Sequence, residues 1–246
     1  MKKTHAAITG GGSAWSRYRR VVVGRDSIIY FLYYEWCMML SGMPGAAGLF
    51  LRKIYWPRLF ESCGRGCAFA SHITLRHPNR IHLGDRVVIS EGCILDARHD
   101  SNPCSVILED DIILSNNVMI SCKNGDIQIG KHTGINAQTI IQSTNQCPVR
   151  IGRDVIIGPR CYIVGGGNYH TDRLDVPIRL QGIRPDGGVQ IESDVWLGAN
   201  VTVHGGVTLG AGSIAASGSV ITRSVPGGSV CMGLPSRVVR NRADSA

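Results

Sequence analysis

Aromatic residues are scarce in this chain: Phe, Trp and Tyr make up only 6% of its 246 residues, although 43% of the residues are hydrophobic. A core of this composition must rest mainly on aliphatic packing. Long apolar runs are also missing, because the strongest one, residues 28–40, contains Glu35 and falls short of the ~20 residues that span a bilayer. The basic N-terminus lacks an apolar stretch of signal-peptide length, which predicts a cytoplasmic location.

The chain also lacks the patterns of nucleic-acid and metal binders. Its formal charge of +8 would suit nucleic acid, an anionic membrane or a phosphorylated ligand. No basic run with aromatic interleaving, helix-turn-helix pattern or zinc-finger spacing accompanies that charge, so nucleic acid is not an expected partner. Cys63 and Cys67 have no second pair to complete a zinc site, and no metal is expected. The nine cysteines are interpreted as free thiols in a reducing compartment.

Glycine is abundant, and a repeat of six residues is the strongest internal pattern. The 31 glycines follow no collagen-like period, which indicates many tight turns between short extended segments. In most hexads an aliphatic residue, any residue and a second aliphatic residue come first, and a small or turn-forming residue and two mostly polar residues follow; Cys, Thr or Ser replaces the first aliphatic residue in the others. The hexads read IHLGDR, VVISEG, CILDAR, VILEDD, IILSNN, VMISCK, IQIGKH, TGINAQ, TIIQST, VRIGRD, VIIGPR, CYIVGG, VQIESD, VWLGAN, VTVHGG, VTLGAG, SIAASG and SVITRS.

The repeat predicts a solenoid. The third residue of every one of these hexads is Ile, Leu or Val except at Ala215. Residues one and three of a short strand point the same way, while residues four to six turn the chain. Three such sides close a triangular coil of three hexads, and each coil covers the apolar edge of the last. We therefore expect an all-β fold, a parallel β-helix of about six to seven 18-residue coils.

The interruptions of the repeat all follow the third hexad of a coil. They are residues 79–80, 99–105, 124–126, 145–148 and 167–188. All should therefore leave the prism at one corner, as in a solenoid with one functional edge. The longest, 167–188, is the expected active-site loop.

The segments outside the repeat are assigned from composition and helical pattern. We expect residues 1–25 to be disordered, 26–62 to form a helical cap on the first coil, 63–225 to form the β-helix and 226–246 a basic tail. Residues 26–60 mix aromatic side chains with Arg52, Lys53 and Arg58. This mixture leaves two interpretations open: capping or oligomer packing, and peripheral contact with a membrane surface.

Two stretches carry a resemblance to a known family. Residues 189–240, which end in PSRVVR, resemble the C-terminal half of hexapeptide O-acetyltransferases such as the galactoside, maltose and nodulation-factor enzymes. The segment NYHTDRLDVPIRLQG from Asn168 is similar to the preceding loop of polysaccharide-modifying, colanic-acid type members. The resemblance covers residues 67–240. It implies a left-handed β-helix, a homotrimer with active sites between neighbouring prisms, and acetyl-coenzyme A as co-substrate.

The resemblance also implies roles for individual residues. His170 matches the catalytic base of the family, and Trp196, Gly198 and Ala199 match the surroundings of the pantetheine channel. The other expected coenzyme contacts are Ser217, Thr222 and Arg223 near the last coil, and Arg237 and Arg240 beside the adenosine phosphates.

These roles are chemically reasonable. A sugar hydroxyl is a poor nucleophile, and an imidazole that accepts its proton during attack on a thioester contributes roughly 10² to 10⁴-fold. Backbone N–H groups of Gly198 and Ala199 are candidate donors to the developing oxyanion. Asp172 and Asp175 lie close to His170 in sequence, and either is a candidate to orient its ring.

The acceptor follows only from the resemblance, which points to a sugar hydroxyl of a polysaccharide, glycolipid or other glycan precursor. Asn136 and Gln138 fall where relatives place acceptor-binding polar groups, although Gln138 departs from the usual asparagine. Asp172 and Arg179 in the long loop are further candidates for binding the sugar.

Several alternatives stay open. Within the acyltransferases they are N-acetylation of an amino sugar and O-acetylation of an antibiotic-like hydroxyl. Outside them, a γ-type carbonic anhydrase would need three histidines around zinc, and His77 and His82 have no third partner at a suitable separation. A β-helix that serves only as a scaffold would not require the loop with His170.

Overall fold

The aliphatic residues of the hexads form short strands that wind into a three-sided solenoid. The computed structural model describes residues 13–245. In the hexad that begins the second coil, Ile81 and Leu83 are buried and His82 between them faces outward. Successive coils stack in parallel register, so that Ile81 lies beside Val106, which lies beside Ile127. The core is therefore a set of aliphatic ladders along the solenoid axis, as the repeat predicted.

Three sheets form the sides of the prism. Sheet 1 contains β1 (Ser62–Cys63), β4 (Ile81–Leu83), β7 (Val106–Leu108), β10 (Ile127–Ile129), β13 (Val149–Ile151), β16 (Val189–Ile191) and β19 (Val207–Leu209). Sheet 2 contains β2 (Ala68–Phe69), β5 (Val88–Ile89), β8 (Ile113–Leu114), β11 (Gly134–Ile135), β14 (Ile156–Ile157), β17 (Trp196–Leu197), β20 (Ile214–Ala215), β22 (Ser229–Gly233) and β23 (Ser236–Asn241). Sheet 3 contains β3 (Thr74–Arg76), β6 (Ile94–Arg98), β9 (Met119–Lys123), β12 (Ile140–Thr144), β15 (Tyr162–Gly165), β18 (Thr202–Val203) and β21 (Val220–Ile221).

The seven-strand order of sheets 1 and 3 corresponds to about seven coils, which confirms the predicted parallel solenoid. Its left-handedness stays a prediction from the resemblance.

The turns between sheets depend on left-handed backbone conformations. Between sheets 2 and 3, Asn117, Gln138 and Asn200 have φ values of 59°, 62° and 58°. Asparagine tolerates this region best among residues with a Cβ. Gln138 therefore occupies a turn position whose left-handed backbone favours asparagine.

Every insertion leaves the prism between sheet 3 and sheet 1. We call this edge the loop corner: it carries residues 79–80, 99–105, 124–126, 145–148 and 167–188, each between a strand of sheet 3 and the next strand of sheet 1. The predicted single corner is observed.

Helices cover the open edge of the first coil. They are α1 (Ala14–Tyr18), a π-helical turn (Arg19–Val23), α2 (Ile28–Ser41), α3 (Gly45–Tyr55) and a 3-10 turn (Trp56–Leu59). The Tyr34 hydroxyl donates to the carbonyl of Leu75, and the Ser41 hydroxyl donates to that of Ile73. These bonds join α2 to the first coil and confirm the predicted helical cap.

The N-terminal segment differs from its prediction. Residues 1–12 lie outside the described part of the chain, but 14–23, which the sequence predicted to be disordered, are helical. Val23 is completely buried, and the Trp15 ring lies 4.3 Å from that of Phe31. Contact with the cap orders this segment, a tertiary effect that its own composition does not reveal.

Arg52 lies inside the cap and does not face solvent. Its side chain is 1% exposed and donates to the backbone carbonyls of Leu40, Met43 and Phe69. Burial lowers the pKa of Arg52 from its usual range. The grouping of Arg52 with the membrane-facing basic residues is therefore wrong, whereas Lys53 and Arg58 are exposed.

The C-terminal segment is more ordered than a basic tail. β22 extends sheet 2 in parallel with β20, and β23 returns antiparallel to β22. Cys231 lies under Ala215 in the buried row, although residues 225–231 no longer show the aliphatic hexad. Backbone pairing, which a side-chain repeat does not reveal, extends the solenoid past residue 225, and β1 extends it before residue 63.

All nine cysteines are free thiols, as the sequence predicted. Within residues 13–245, no helix combines the length and hydropathy that a transmembrane span requires.

Candidate active site

The long insertion at the loop corner is tied down at both ends. Gly166 (φ 79°) and Gly188 (φ 85°) flank it, and a Cβ on either would collide with neighbouring backbone. The Asp186 carboxylate accepts hydrogen bonds from the N–H groups of both glycines at 2.9–3.0 Å. Charge-assisted bonds to one carboxylate thus hold the beginning and the end of the loop together.

The loop is also bonded internally. Tyr169 and Ile183 form an antiparallel bridge, and the His170 N–H donates to the carbonyl of Gly182 at 3.1 Å. A single helical turn, α4 (Ile178–Gln181), lies between the two bridged segments. The Gln181 side-chain amide donates to the carbonyls of Arg173 and Val176 at 2.6 and 2.7 Å. The backbone around His170 is therefore fixed from both sides.

The His170 side chain is 47% exposed, so its ring is accessible to a ligand. Its Nδ1 lies 3.8 Å from Oδ1 of Asp172, close enough for electrostatic attraction but too long for a hydrogen bond. Asp175 instead pairs with the Arg173 guanidinium at 2.5 Å, which lowers the pKa of that carboxyl. Of the two sequence candidates for orienting His170, the structure brings only Asp172 close.

A cleft of about 550 Å³ lies beside this loop, over the outer face of sheet 3. Tyr169, Arg179 and Gly182 line it from the loop. Lys123, Gln142 and Tyr162 line it from the sheet, and Asn124 lines it from the short insertion after β9. Its volume falls in the range of small-molecule sites, about 300–1,000 Å³. His170 itself is not among the lining residues, whereas Tyr169, the residue before it, is.

The expected pantetheine residues share the corner between sheets 2 and 3. Trp196 stands on the outer face of β17 and is 51% exposed. Gly198, Ala199 and Ser217 follow in the turns after β17 and β20. The Gly198 N–H donates to the Ala215 carbonyl at 2.8 Å, and the Ala199 N–H donates to the Ser217 hydroxyl at 3.1 Å. Both N–H groups are thus already bonded, and the expectation that they serve as free oxyanion donors is not supported.

The other expected coenzyme residues lie elsewhere on the prism. Thr222 and Arg223 follow β21 at the loop corner and are exposed. Arg237 and Arg240 lie on β23, beside Met232 and Val230 of β22, and are also exposed. Within one chain, the residues expected to bind the coenzyme are therefore divided between two corners and the C-terminal hairpin.

The four candidate acceptor residues are also divided. Arg179 lines the cleft, and Asp172 stands near His170. Asn136 and Gln138 lie at the corner between sheets 2 and 3, where the Asn136 side-chain amide donates to the Ile157 carbonyl at 3.0 Å. Neither lines the cleft, because the turn after β11 emerges at a different corner from the long loop.

Sequence reasoning missed Lys123, Gln142 and Tyr162. Each lies in a third hexad, and in the hexads of Lys123 and Gln142 the strand runs on beyond the third residue. Five-residue strands in VMISCK and TIIQST turn additional polar side chains outward beside the loop corner. The signal was present in those polar endings, but only the fold of the long loop shows that they face it.

The histidines expected of a γ-type carbonic anhydrase serve the fold. His77 is buried, and its Nε2 lies 2.9 Å from the Arg20 carbonyl oxygen in the cap. His82 lies on sheet 1 against the Ser62 hydroxyl. Among the residues that the structure describes, no three His, Cys, Asp or Glu side chains are grouped to hold a metal ion.

Comparisons with known proteins agree with this architecture. The bacterial transferase hexapeptide family (six repeats) matches residues 188–223. Galactoside O-acetyltransferase of Lactococcus lactis is 33% identical over 113 residues, covering 46% of this chain and 53% of that protein. A candidate acetyltransferase of Staphylococcus aureus is 35% identical over 108 residues, covering 37% of this chain and 54% of that protein.

These matches span about half the length of the curated relatives. Among solved structures, the UDP-N-acetylglucosamine acyltransferase of Campylobacter jejuni has the same fold. It superposes with a TM-score of 0.52 at 14% identity, over 73% of this chain and 70% of that one. The hexads and their three-sided winding thus agree with the match of residues 188–223 to the bacterial transferase hexapeptide family.

Proposed function

We propose that the protein transfers the acetyl group of acetyl-coenzyme A to a sugar hydroxyl of a polysaccharide, glycolipid or other glycan precursor. The observation that carries the proposal is the position of His170. It is the accessible imidazole on the longest insertion of the loop corner, and its hairpin forms one wall of a ligand-sized cleft. The similarity to galactoside O-acetyltransferase supports a sugar hydroxyl as the acceptor.

The proposed chemistry is a direct transfer. The hydroxyl oxygen attacks the thioester carbonyl carbon while His170 accepts the hydroxyl proton. The carbon–sulfur bond then breaks, and the departing thiolate takes that proton from the His170 imidazolium to leave as the thiol of coenzyme A. The negative charge of Asp172, 3.8 Å from Nδ1, faces the imidazolium that forms. No covalent enzyme intermediate is needed.

The coenzyme would bind along the coils nearest the C-terminus. Trp196, Ala199 and Ser217 offer an exposed surface to the pantetheine arm. Arg223, Arg237 and Arg240 are exposed cations near the C-terminal end of the solenoid, where the phosphates of the coenzyme would find opposite charge.

Binding of coenzyme A should quench Trp196 fluorescence. Arg237→Gln should weaken the binding of coenzyme A more than the binding of its 3′-dephospho form.

A homotrimer would bring the divided residues together. His170 and Trp196 lie on different corners, so a site that contains both needs two neighbouring copies. The outer face of sheet 2 offers a contact surface: the exposed apolar side chains of Val88, Ile113, Ile156 and Trp196 lie in one row, with Gly134 between Ile113 and Ile156. We expect sedimentation to give a trimer, and Ile113→Asp with Ile156→Asp to yield inactive monomers. Active monomers would refute the shared site.

The base is tested by a matched pair of histidine variants. His170→Asn should lower kcat for coenzyme A release by roughly 10²- to 10⁴-fold with little change in the KM for acetyl-coenzyme A. His132→Asn is the control: it changes an exposed histidine at φ 57°, where asparagine is tolerated. If His170→Asn retained most of the wild-type kcat, the assignment would be wrong.

The nature of the acceptor atom is tested on the product. An O-acetyl ester is cleaved by mild alkali or hydroxylamine, whereas an N-acetyl amide survives both treatments. Paired acceptors that differ only in a hydroxyl or an amine at one carbon should give an alkali-labile product. A stable product would favour the amino-sugar N-acetyltransferase instead.

The cap also carries an outward apolar face suited to a membrane. Ile29, Leu32 and Met39 of α2 are 61–78% exposed, and Phe50 of α3 is 63% exposed. The exposed side chains of Arg25, Lys53 and Arg58 add positive charge around this face, and Glu35 is bonded to the Tyr18 hydroxyl. Apolar and basic side chains together match the anionic inner face of a membrane, where a lipid-linked glycan would be presented.

Vesicle flotation tests this contact. The full chain should float with vesicles that contain phosphatidylglycerol and remain unbound with pure phosphatidylcholine, and Leu32→Glu with Phe50→Glu should abolish flotation. Flotation that is absent with both lipids would refute the contact. A larger assembly that forms without lipid and is lost in the same variant would assign the face to a second copy.

A further inference from the structure

The cleft beside His170 contains uncompensated positive charge. Lys123 at the end of β9 is half-buried, and Arg179 on the loop is exposed. Among the residues that the structure describes, neither side chain has an ion-pair partner, whereas Arg173 and Arg98 pair with Asp175 and Asp96. No acidic side chain lines the cleft. A ligand that fills it therefore meets two cations without their counter-ions.

The nearby carboxylates are occupied by other groups. Asp186 accepts hydrogen bonds from backbone N–H groups at both ends of the loop. Asp100 accepts a hydrogen bond from the Asn124 side chain at 2.9 Å and lies in the neighbouring surface hollow. Asp172 faces His170. These contacts leave the charge of Lys123 and Arg179 to be balanced from outside the chain.

The remaining lining suits a sugar ring. Tyr162 and Tyr169 are 37% and 40% exposed, so each presents ring surface and a hydroxyl to the cleft. Gln142 and Asn124 add side-chain amides that can both donate and accept hydrogen bonds. His170 is the next residue after Tyr169 on the same hairpin, although it does not itself line the cleft. An acceptor held here would lie against the hairpin that carries the proposed base.

We propose that the acceptor is an anionic sugar, whose carboxylate or phosphate group is bound by Lys123 and Arg179 in this cleft. The inference rests on the proposed acetyl transfer for its biological role, but the binding itself is independent of turnover. A guanidinium suits a planar carboxylate or a phosphate, and an ammonium adds a point charge. The anionic group would anchor the sugar against the hairpin that carries His170.

Equilibrium binding to the full chain tests the inference with charge-matched probes. Tetragalacturonate and its methyl ester differ only in carboxylate charge, and glucose 6-phosphate and glucose differ only in the phosphate. At least one anionic probe should bind about 10- to 100-fold more tightly than its neutral counterpart at low salt. The pair that shows the difference identifies carboxylate or phosphate as the recognised group.

Variants locate the binding. Lys123→Met and Arg179→Gln should each reduce the preference for the anion at least several-fold, and the double variant should abolish it. Lys131→Met is the matched control, because Lys131 is exposed, pairs with Asp110 and lies between sheets 1 and 2. Equal binding of charged and neutral probes, or an unchanged preference in the double variant, would overturn the inference. Displacement of the anionic sugar by coenzyme A alone would assign the cleft to the coenzyme and also overturn it.

His170→Asn separates this inference from the proposed function. The variant should lose acetyl transfer and keep the preference for the anionic probe. If the preference is present but no acceptor is acetylated by the wild-type protein, the transfer proposal fails and the anion site stands. If neutral sugars are acetylated as efficiently as anionic ones, the transfer proposal stands and the anionic acceptor is refuted.

Discussion

Replacing Arg52 with methionine should destabilise the junction between the cap and the first coil. The guanidinium donates to Leu40 and Met43 at 2.7 and 2.8 Å, and to Phe69 of β2 at 2.9 Å. In the variant the Leu40 carbonyl keeps the Met43 N–H as a donor. The Met43 and Phe69 carbonyls lose the guanidinium donor, and a buried unsatisfied group costs about 1–3 kcal/mol.

Relief of the buried charge offsets part of this loss. We expect a net loss of about 3 kcal/mol in the free energy of unfolding, which corresponds to a fall of about 6–12 °C in Tm for a chain of this size. Thermal and urea unfolding at one fixed protein concentration measure the effect, since association would contribute otherwise. Lys53→Met, one residue along the same helix at an exposed position, should change stability by less than about 0.5 kcal/mol. A loss below about 1 kcal/mol in Arg52→Met, or an equal loss in the control, would refute this account.

Three further changes test the coils and the loop. Gly166→Ala should cost about 2 kcal/mol or more in urea unfolding, because φ is 79° and a Cβ meets backbone, whereas Gly42→Ala, at φ −80° with open space around it, should be nearly neutral. Thr139→Val should cost about 2–4 kcal/mol, because the buried hydroxyl bonds one carbonyl and one N–H of the next coil; Thr139→Ser should recover most of it, and an unchanged midpoint in the valine variant would contradict this. The Arg86 guanidinium lowers the pKa of Asp111, so its stabilising effect should be complete above the normal carboxyl pKa and lost as pH falls through the lowered value. Asp111→Asn should therefore flatten the acid limb of a stability–pH profile, and an unaltered limb would disprove the role of that pair.

The solenoid was predictable from sequence because its signal is local and repeated. The alternation that buries Ile81 and Leu83 recurs in each coil, so a single departure from the pattern, such as Ala215, does not obscure the repeat. The single loop corner followed from the phase of the interruptions alone. Both inferences need only the alternation of side chains along a strand.

The cap was predictable only in outline. Tyr34, Trp56 and Arg52 belong to the aromatic and basic mixture for which the sequence left both capping and membrane contact open, and all three are buried with their polar atoms bonded to backbone carbonyls. Composition cannot separate them from the exposed Trp36 and Lys53, because helix packing determines which face is covered. Order in residues 14–23 has the same origin.

The candidate site was predictable where a motif identified it and unpredictable where the loop had to fold. The sequence singles out His170 because it is the histidine within the longest insertion. Lys123 and Gln142 could not be singled out, since they lie about two coils and one coil below the point where the loop begins, and only the return of the loop over sheet 3 makes them its neighbours.

Because all insertions lie at one corner, the residues that set strand register are separate from the residues that form the loops. Strand register at the other two corners is set by neighbouring coils, and no insertion enters those corners. Gly166 and Gly188 are held by Asp186 near the end of the 167–188 segment, so a loop of different length or chemistry that keeps this aspartate and Gly188 can replace the residues before it without shifting any ladder. Changes in this segment would alter the wall of the cleft while the prism that supports it stays the same.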